Sequence, residues 1–141
     1  MADDKISILE CEGFTTQVTF KHASWCEIEV FSGVHSLGNM GGYSWPKFAS
    51  DLLAVLQRDQ GKLLTDIPGA RYSNIINDSS AEYLGNVALS GYNTFYFFRS
   101  AANRYFFIIL ADSKGEILLH VKCRLEAVND WVKKIKGLII E

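Results

Sequence analysis

From Thr15 to Lys21 the chain alternates: Val18 and Phe20 point one way, Gln17, Thr19 and Lys21 the other. The stretch from Ser24 to Ser32 repeats this, with Cys26, Ile28 and Val30 inward and Glu27 and Glu29 outward. A period of two with one polar side predicts half-buried antiparallel strands. Lys5–Cys11, carrying Ile6, Ile8 and Leu9, predicts a strand before them, set off by a turn at Glu12-Gly13. Glu27 and Glu29, two residues apart on one strand, fall roughly 7 Å apart on the same face.

A different pattern runs from Tyr92 to Arg124. Three runs rich in aromatic and β-branched residues are separated by the polar breaks Ala101-Ala102-Asn103 and Asp112-Ser113-Lys114-Gly115. This spacing predicts a three-stranded antiparallel meander. Phe95 and Phe97 lie on one face and Tyr96 and Phe98 on the other. A strand apolar on both sides is covered on both sides, so the meander is expected at the centre of the fold. Upstream, Tyr83, Leu84, Val87 and Leu89 suit a further strand, with Gly85-Asn86 marking a bulge.

Two segments have helical periodicity. Phe48, Leu52, Val55 and Leu56 form one stripe behind a Ser44-Trp45-Pro46 start, and Gly61 follows as the expected stop. Leu125, Val128, Val132, Ile135 and Ile139 form a second stripe with Trp131 beside it. Lys133, Lys134 and Lys136 crowd that helix's C-terminal half, where cations suit the dipole. The helices should cover about residues 45–60 and 125–138. Between strands and first helix, the Gly-rich stretch 33–42 reads as a long mobile surface loop offering Leu37 and Met40, with Tyr43 at its end. Lys62–Ile67 reads as a short strand or extended piece that ends at Pro68-Gly69. Residues 70–80 read as an Asn-rich loop anchored by Tyr72, Ile75 and Ile76. The expectation is a single α+β domain spanning residues 1–141. It has mainly antiparallel β-sheet, about six to seven strands, packed with two amphipathic helices. No internal repeat or linker is visible in the sequence.

Composition adds limits. The chain of 141 residues is 48% hydrophobic and 21% charged, ordinary for a globular domain. No run approaches the roughly 18–20 apolar residues of a membrane span, and Met-Ala-Asp-Asp-Lys lacks the form of a signal peptide. Cys11, Cys26 and Cys123 are odd in number, widely spaced and without a Cys-x-x-Cys pair. They are expected as small packed hydrophobes in a reducing cytoplasm. His22, His35 and His120 share no metal-ligand spacing. Glycines 33–42 match neither a dinucleotide fingerprint nor a phosphate loop, and no nucleophile elbow occurs. The chain is therefore read as a non-enzymatic binding domain with no cofactor and no metal.

Charge is uneven. Residues 1–98 hold six Lys/Arg against eleven Asp/Glu, a net −5; residues 99–141 hold eight against five, a net +3. Nucleic-acid binding would call for a stronger basic patch interleaved with exposed aromatics. An acidic first half suits a basic protein partner.

The segment order resembles a known family. The Trp25-Cys26-Glu27-Ile28-Glu29-Val30 run and the Gly-rich stretch are followed by Trp45-Pro46-Lys47-Phe48 and Leu52-Leu53. Tyr105–Leu110, Asp112, Gly115-Glu116 and Ile117–Val121 then lead into a C-terminal helix. Across residues 15–125 this is similar to small bacterial immunity proteins of the contact-dependent growth inhibition and wall-associated toxin type. The resemblance implies a cytoplasmic protein that binds and neutralises a cognate toxin domain, often a nuclease, by protein–protein contact, without touching nucleic acid or membrane. It transfers no catalytic residue. Contacts expected for such a role are Glu27 and Glu29 on the strand face, Leu37, Met40 and Tyr43 in the Gly-rich stretch, and Asp66, Asp78 and Glu82 around the second loop. The alternative is a non-catalytic adaptor or chaperone-like scaffold serving a constitutive partner or a second copy of itself. The aromatic density of residues 92–107 motivates it.

Overall fold

Four strands come first, each leaving by a tight turn or short connection: β1 (Asp4–Cys11), β2 (Phe14–Phe20), β3 (Trp25–Ser32) and β4 (His35–Ser44). A computed structural model describes residues 4–21, 25–63, 72–78, 80–89 and 93–139. The first sheet is antiparallel, in the order β1-β2-β3-β4. Helix α1 (Trp45–Leu56) starts at the residue after β4 ends, and β5 (Lys62–Leu63) and α2 (Ser73–Ile76) are short. Then follow β6 (Glu82–Ala88), β7 (Asn93–Ser100), β8 (Tyr105–Asp112), β9 (Ile117–Arg124) and α3 (Leu125–Leu138). The second sheet is ordered β5-β6-β7-β8-β9. All its pairings are antiparallel, and β7-β8-β9 form the expected meander.

The α+β class holds, but the strands are more numerous than expected, and they fall into two sheets. Among the described residues eight strands are of full length, and β5 has two residues. The added strand is β4, built from the glycine-rich stretch read as a loop. No sequence repeat is visible, yet the order of four strands and a helix occurs twice, as β1–β4 with α1 and as β6–β9 with α3. In both, the helix begins directly after the last strand, from an extended residue (Ser44, Arg124) that makes no side-chain capping bond.

One hydrophobic cluster runs through both sheets and both long helices. It includes Val18 and Ile28 from the first sheet, Phe95 and Ile108 from the second, Leu52 from α1 and Trp131 from α3. Phe14 and Phe95 meet edge to face across the two sheets, centroids 6.3 Å apart. Each such ring removed from water contributes roughly 1.5–3 kcal/mol. The indoles of both helices bond across the halves: Trp45 Nε1 donates to the Leu138 carbonyl at 3.1 Å, and Trp131 Nε1 to the Glu10 carbonyl at 3.0 Å.

The expected stripe of α1 is buried at Phe48, Leu52, Val55 and Leu56. The helix stops at Leu56, short of residue 60, so Gly61 is not its terminator. Past that point Arg58 reaches out to the Leu84 carbonyl at 2.7 Å. The Arg99 guanidinium, from β7, takes the Arg58 and Asp59 carbonyls at 2.7 Å each. These bonds fasten the segment after the helix to β6 and β7. In α3, Val128, Trp131 and Ile135 are buried, while Ile139 caps the helix and is exposed. The bulge expected at Gly85 is present as a register shift between Tyr83 and Gly85. Among the described residues no helix is long and apolar enough to cross a membrane.

Candidate functional site

Residues 36–41 read Ser-Leu-Gly-Asn-Met-Gly, and this triplet repetition shapes one face of the first sheet. On β4 the pairing with β3 slips twice: Phe31 faces Ser36, Glu29 faces Asn39 and Glu27 faces Gly42. Three residues of β4 thus span two of β3 at each step, a double bulge. Gly38 and Gly41 take φ of 103° and 114°, conformations that a side chain disfavours. Ser36 Oγ accepts the Gly38 N–H at 3.0 Å and Asn39 Oδ1 accepts the Gly41 N–H at 2.7 Å, so each bulge is pinned by the polar residue before it.

The bulges have two consequences. First, residues three apart share a face. Leu37, Met40 and Tyr43 all turn inward, correcting their placement on a mobile loop. Met40 is buried and its Sδ accepts from Asn93 Nδ2 at 2.9 Å; Tyr43 is half-buried and stacks on Phe48 at 5.5 Å; Leu37 packs against the main cluster. These three hold the fold. Burial raises the Tyr43 hydroxyl to about 12.

Second, Ser36 and Asn39 turn outward over the acidic pair. Ser36 Oγ donates to Glu29 Oε2, and Asn39 Nδ2 donates to Glu27 Oε1 at 3.3 Å. Lys21 Nζ lies 3.7 Å from Glu27. The carboxylates are therefore held in place on the outer face of β3. Thr15, Gln17 and Thr19 of β2 flank them, paired in register with Phe31, Glu29 and Glu27. Trp25, 47% exposed, and half-buried Phe31 stand at the two ends of β3, and neither belongs to a hydrophobic cluster. The Trp25 indole lies over Gly42, where a side chain would start 2.7 Å from its nitrogen. The result is a polar, acidic strip bounded by two aromatic rings.

Two further acidic candidates, Asp78 and Glu82, belong with the second sheet and its cover. Glu82 opens β6 and its Oε1 is 3.4 Å from Arg99. Asp78 follows α2. Its Oδ1 accepts from the Ser80 N–H at 2.9 Å and its Oδ2 from Asn103 Nδ2 at 2.9 Å. The hydroxyls of Ser100 and Ser80, with Asn103, hold its carboxyl well below the ordinary carboxylate range. Asp78 bonds to Asn103 in the β7–β8 turn and Glu82 pairs with Arg99 of β7, so both fasten the second half of the fold and lie apart from Glu27 and Glu29. Asp66 lies outside the described residues.

The outer face of the second sheet is of another kind. Tyr72, just before α2, and Ile76 of α2 cover Phe98, Phe107 and Ile109, forming a second hydrophobic cluster. Tyr72 packs on Tyr96 at 5.1 Å and Tyr83 on Phe98 at 5.4 Å. Beside α2 a cavity of about 350 Å³ is lined by Ile76, Phe107, His120 and Lys122 among others, with no carboxylate or thiol among the described lining residues. Lys122 Nζ sits 4.0 Å from the Tyr105 ring centre. His120, Lys122 and Arg124 are exposed, as the alternation of β9 predicts. Among the described residues no group of three or more His, Cys, Asp or Glu is arranged to hold a metal ion.

The outward role of Ser36 and Asn39 is what sequence reasoning missed. The triplet Ser-x-Gly, Asn-x-Gly carried the signal, because a short polar side chain two residues before a glycine is a turn-forming arrangement. No protein-family model, curated protein or solved structure matches this chain.

Proposed function

We propose that this chain is a non-catalytic binding protein that neutralises a basic protein domain, in the manner of a bacterial toxin-immunity protein. The outer face of the first sheet is its contact surface. The observation that carries this reading is the pre-positioned pair Glu27 and Glu29, oriented by Asn39 and Ser36 and bounded by Trp25 and Phe31. Carboxylates already held in place lose less entropy on binding. A flanking exposed tryptophan is the kind of anchor that dominates interface energy. A toxin domain that acts on nucleic acid presents a basic active site, which an acidic face complements and towards which it is steered.

The adaptor reading rested on aromatic residues in excess of one core. In the fold, Phe95, Phe97 and Phe106 join the main cluster and Phe98 and Phe107 the second, so that density is absorbed within the chain.

The test is co-expression with the toxin domain encoded beside this chain's gene, together with association kinetics of the purified pair. Neutralisation restores growth. Glu27→Lys with Glu29→Lys should slow association by on the order of 10-fold or more at low salt and by less at high salt. An unchanged association rate removes this face from the interface. A neighbouring gene lacking any large secreted protein with a variable C-terminal domain removes the immunity reading itself.

A further inference from the structure

The register of β1 turns one cysteine towards a distant partner. Between Ser7 and Leu9 the pairing with β2 slips, so that both Ile8 and Leu9 are buried and Cys11, opposite Phe14, faces the interior side. Cys123, opposite Phe106 on β9, faces the same interior from the second sheet. Their sulfurs stand 2.6 Å apart although 112 residues separate them in sequence. That approach is closer than packing of two small hydrophobes requires, and a disulfide S–S bond is about 2.05 Å long. Both are free thiols in this structure, and the third, Cys26, is fully buried elsewhere in the core.

We propose that Cys11 and Cys123 are an oxidisable pair that closes to a disulfide, joining the β1–β4 half of the chain to the β6–β9 half. Cys11 is half-buried and so reachable from solvent, while Cys123 lies behind it, 4% exposed. Cys11 is therefore the attacking sulfur and Cys123 the resolving one. The electrostatics agree. The hydrogen bond from Cys123 lowers the Cys11 thiol below its ordinary value, whereas Cys11 and burial push Cys123 up. Cys26, with burial alone acting on it, is raised to about 11 and stays a thiol.

The chemistry balances with a hydroperoxide as oxidant. The Cys11 thiolate attacks the peroxide oxygen, the O–O bond breaks, and sulfenic acid forms with release of hydroxide. Cys123 sulfur then attacks the sulfenic sulfur and the S–O bond breaks. The oxygen leaves as water, so two thiols and one hydrogen peroxide give one disulfide and two waters. A low-molecular-weight disulfide such as oxidised glutathione serves equally: exchange with Cys11, then displacement by Cys123, releases two thiols. Closing so long a loop strongly restricts the unfolded chain.

The experiment uses the full reduced chain, treated with hydrogen peroxide or with oxidised glutathione, then unfolded and alkylated. The expected product is a monomer lacking two hydrogens, with one alkylated thiol at Cys26 and a proteolytic fragment linking the Cys11 and Cys123 peptides. Its unfolding midpoint should rise by on the order of 10 °C over the reduced form. Cys26→Ala should retain the cross-link, while Cys11→Ala and Cys123→Ala should each abolish it. The wild-type peptide map decides the matter even where a variant folds poorly. Three alkylatable thiols after oxidant, or a link through Cys26 or between two chains, would overturn the proposal.

Discussion

The two sheets of this protein share a plan and differ in what their outer faces meet. Each contains an antiparallel four-strand run that passes directly into a long helix. On the second sheet the outer face is aromatic and lies beneath α2, so β8 is buried along six consecutive positions. On the first sheet the corresponding face is polar, and β3 alternates between buried core and half-buried carboxylates. The inner faces, which build the common cluster, are alike in character. Where a sheet is covered on both sides it is a core; where one side is open, polar residues stay at the surface, as the proposed contact face requires.

The largest test removes one ring from each outer face. Phe98→Ala, beneath α2, should cost about 3–5 kcal/mol, because a fully buried ring leaves a cavity that its neighbours refill only in part. Phe31→Ala, outside both clusters, should cost no more than about 1 kcal/mol. Urea unfolding of both variants measures the difference directly. Equal costs would mean that the first sheet's face is also packed, and the proposed contact surface would fall with that result.

A second test addresses how the first sheet presents its carboxylates. Gly38→Ala or Gly41→Ala forces a side chain into a strained conformation and should cost about 1–3 kcal/mol each. It should also slow partner association, because the bulges aim Ser36 and Asn39 at Glu29 and Glu27. Loss of stability with unchanged association would separate the bulges from recognition.

That double bulge is also where the sequence was least readable. Strand detection rests on a period of two, and β4 keeps its inward residues at a period of three, through Leu37, Met40 and Tyr43. A strand with three glycines scores as a loop unless the polar residue before each bulge is noticed. The meander β7–β9 and the helix stripes were legible because their periodicity is unbroken and their residues face continuous apolar surroundings. The split into two sheets was not, since nothing local in β4 or β6 states which neighbour a strand accepts. At the candidate site, alternation alone put Glu27 and Glu29 outward. Asp78 and Glu82 read as surface charge because their partners, Asn103 and Arg99, lie 25 and 17 residues away.

Asp78 provides a third test, acting on the cover of the second sheet. Its carboxylate ties the turn after α2 to Ser80, Ser100 and Asn103. The folded-state pKa lies below the unfolded value of about 3.9, so the stabilisation is complete above that value and is lost as pH falls towards the folded one. Acid should therefore loosen α2 first, exposing Tyr72 and Phe98 before the first sheet opens. Asp78→Asn should cost about 1 kcal/mol at neutral pH, allowing for solvent screening, and should flatten the acid limb of the stability profile. Hydrogen exchange across pH, resolved by segment, distinguishes early release of α2 from uniform opening.

The smallest expected change is a gain, and it lies on the inner face where the two sheets are alike. Thr16 of β2 is fully buried, and its hydroxyl finds no hydrogen-bond partner among the described residues. Folding strips water from that oxygen without replacing it, whereas a methyl group there would carry no such cost. Thr16→Val should raise stability by about 1 kcal/mol in urea unfolding. It should leave partner association untouched, because Thr16 points away from the face that carries Glu27 and Glu29. A loss of stability would mean that the hydroxyl is satisfied by bound water. A change in association would mean that inner packing and the outer acidic strip are coupled through β2, and that the two faces of the first sheet cannot be assigned separate roles.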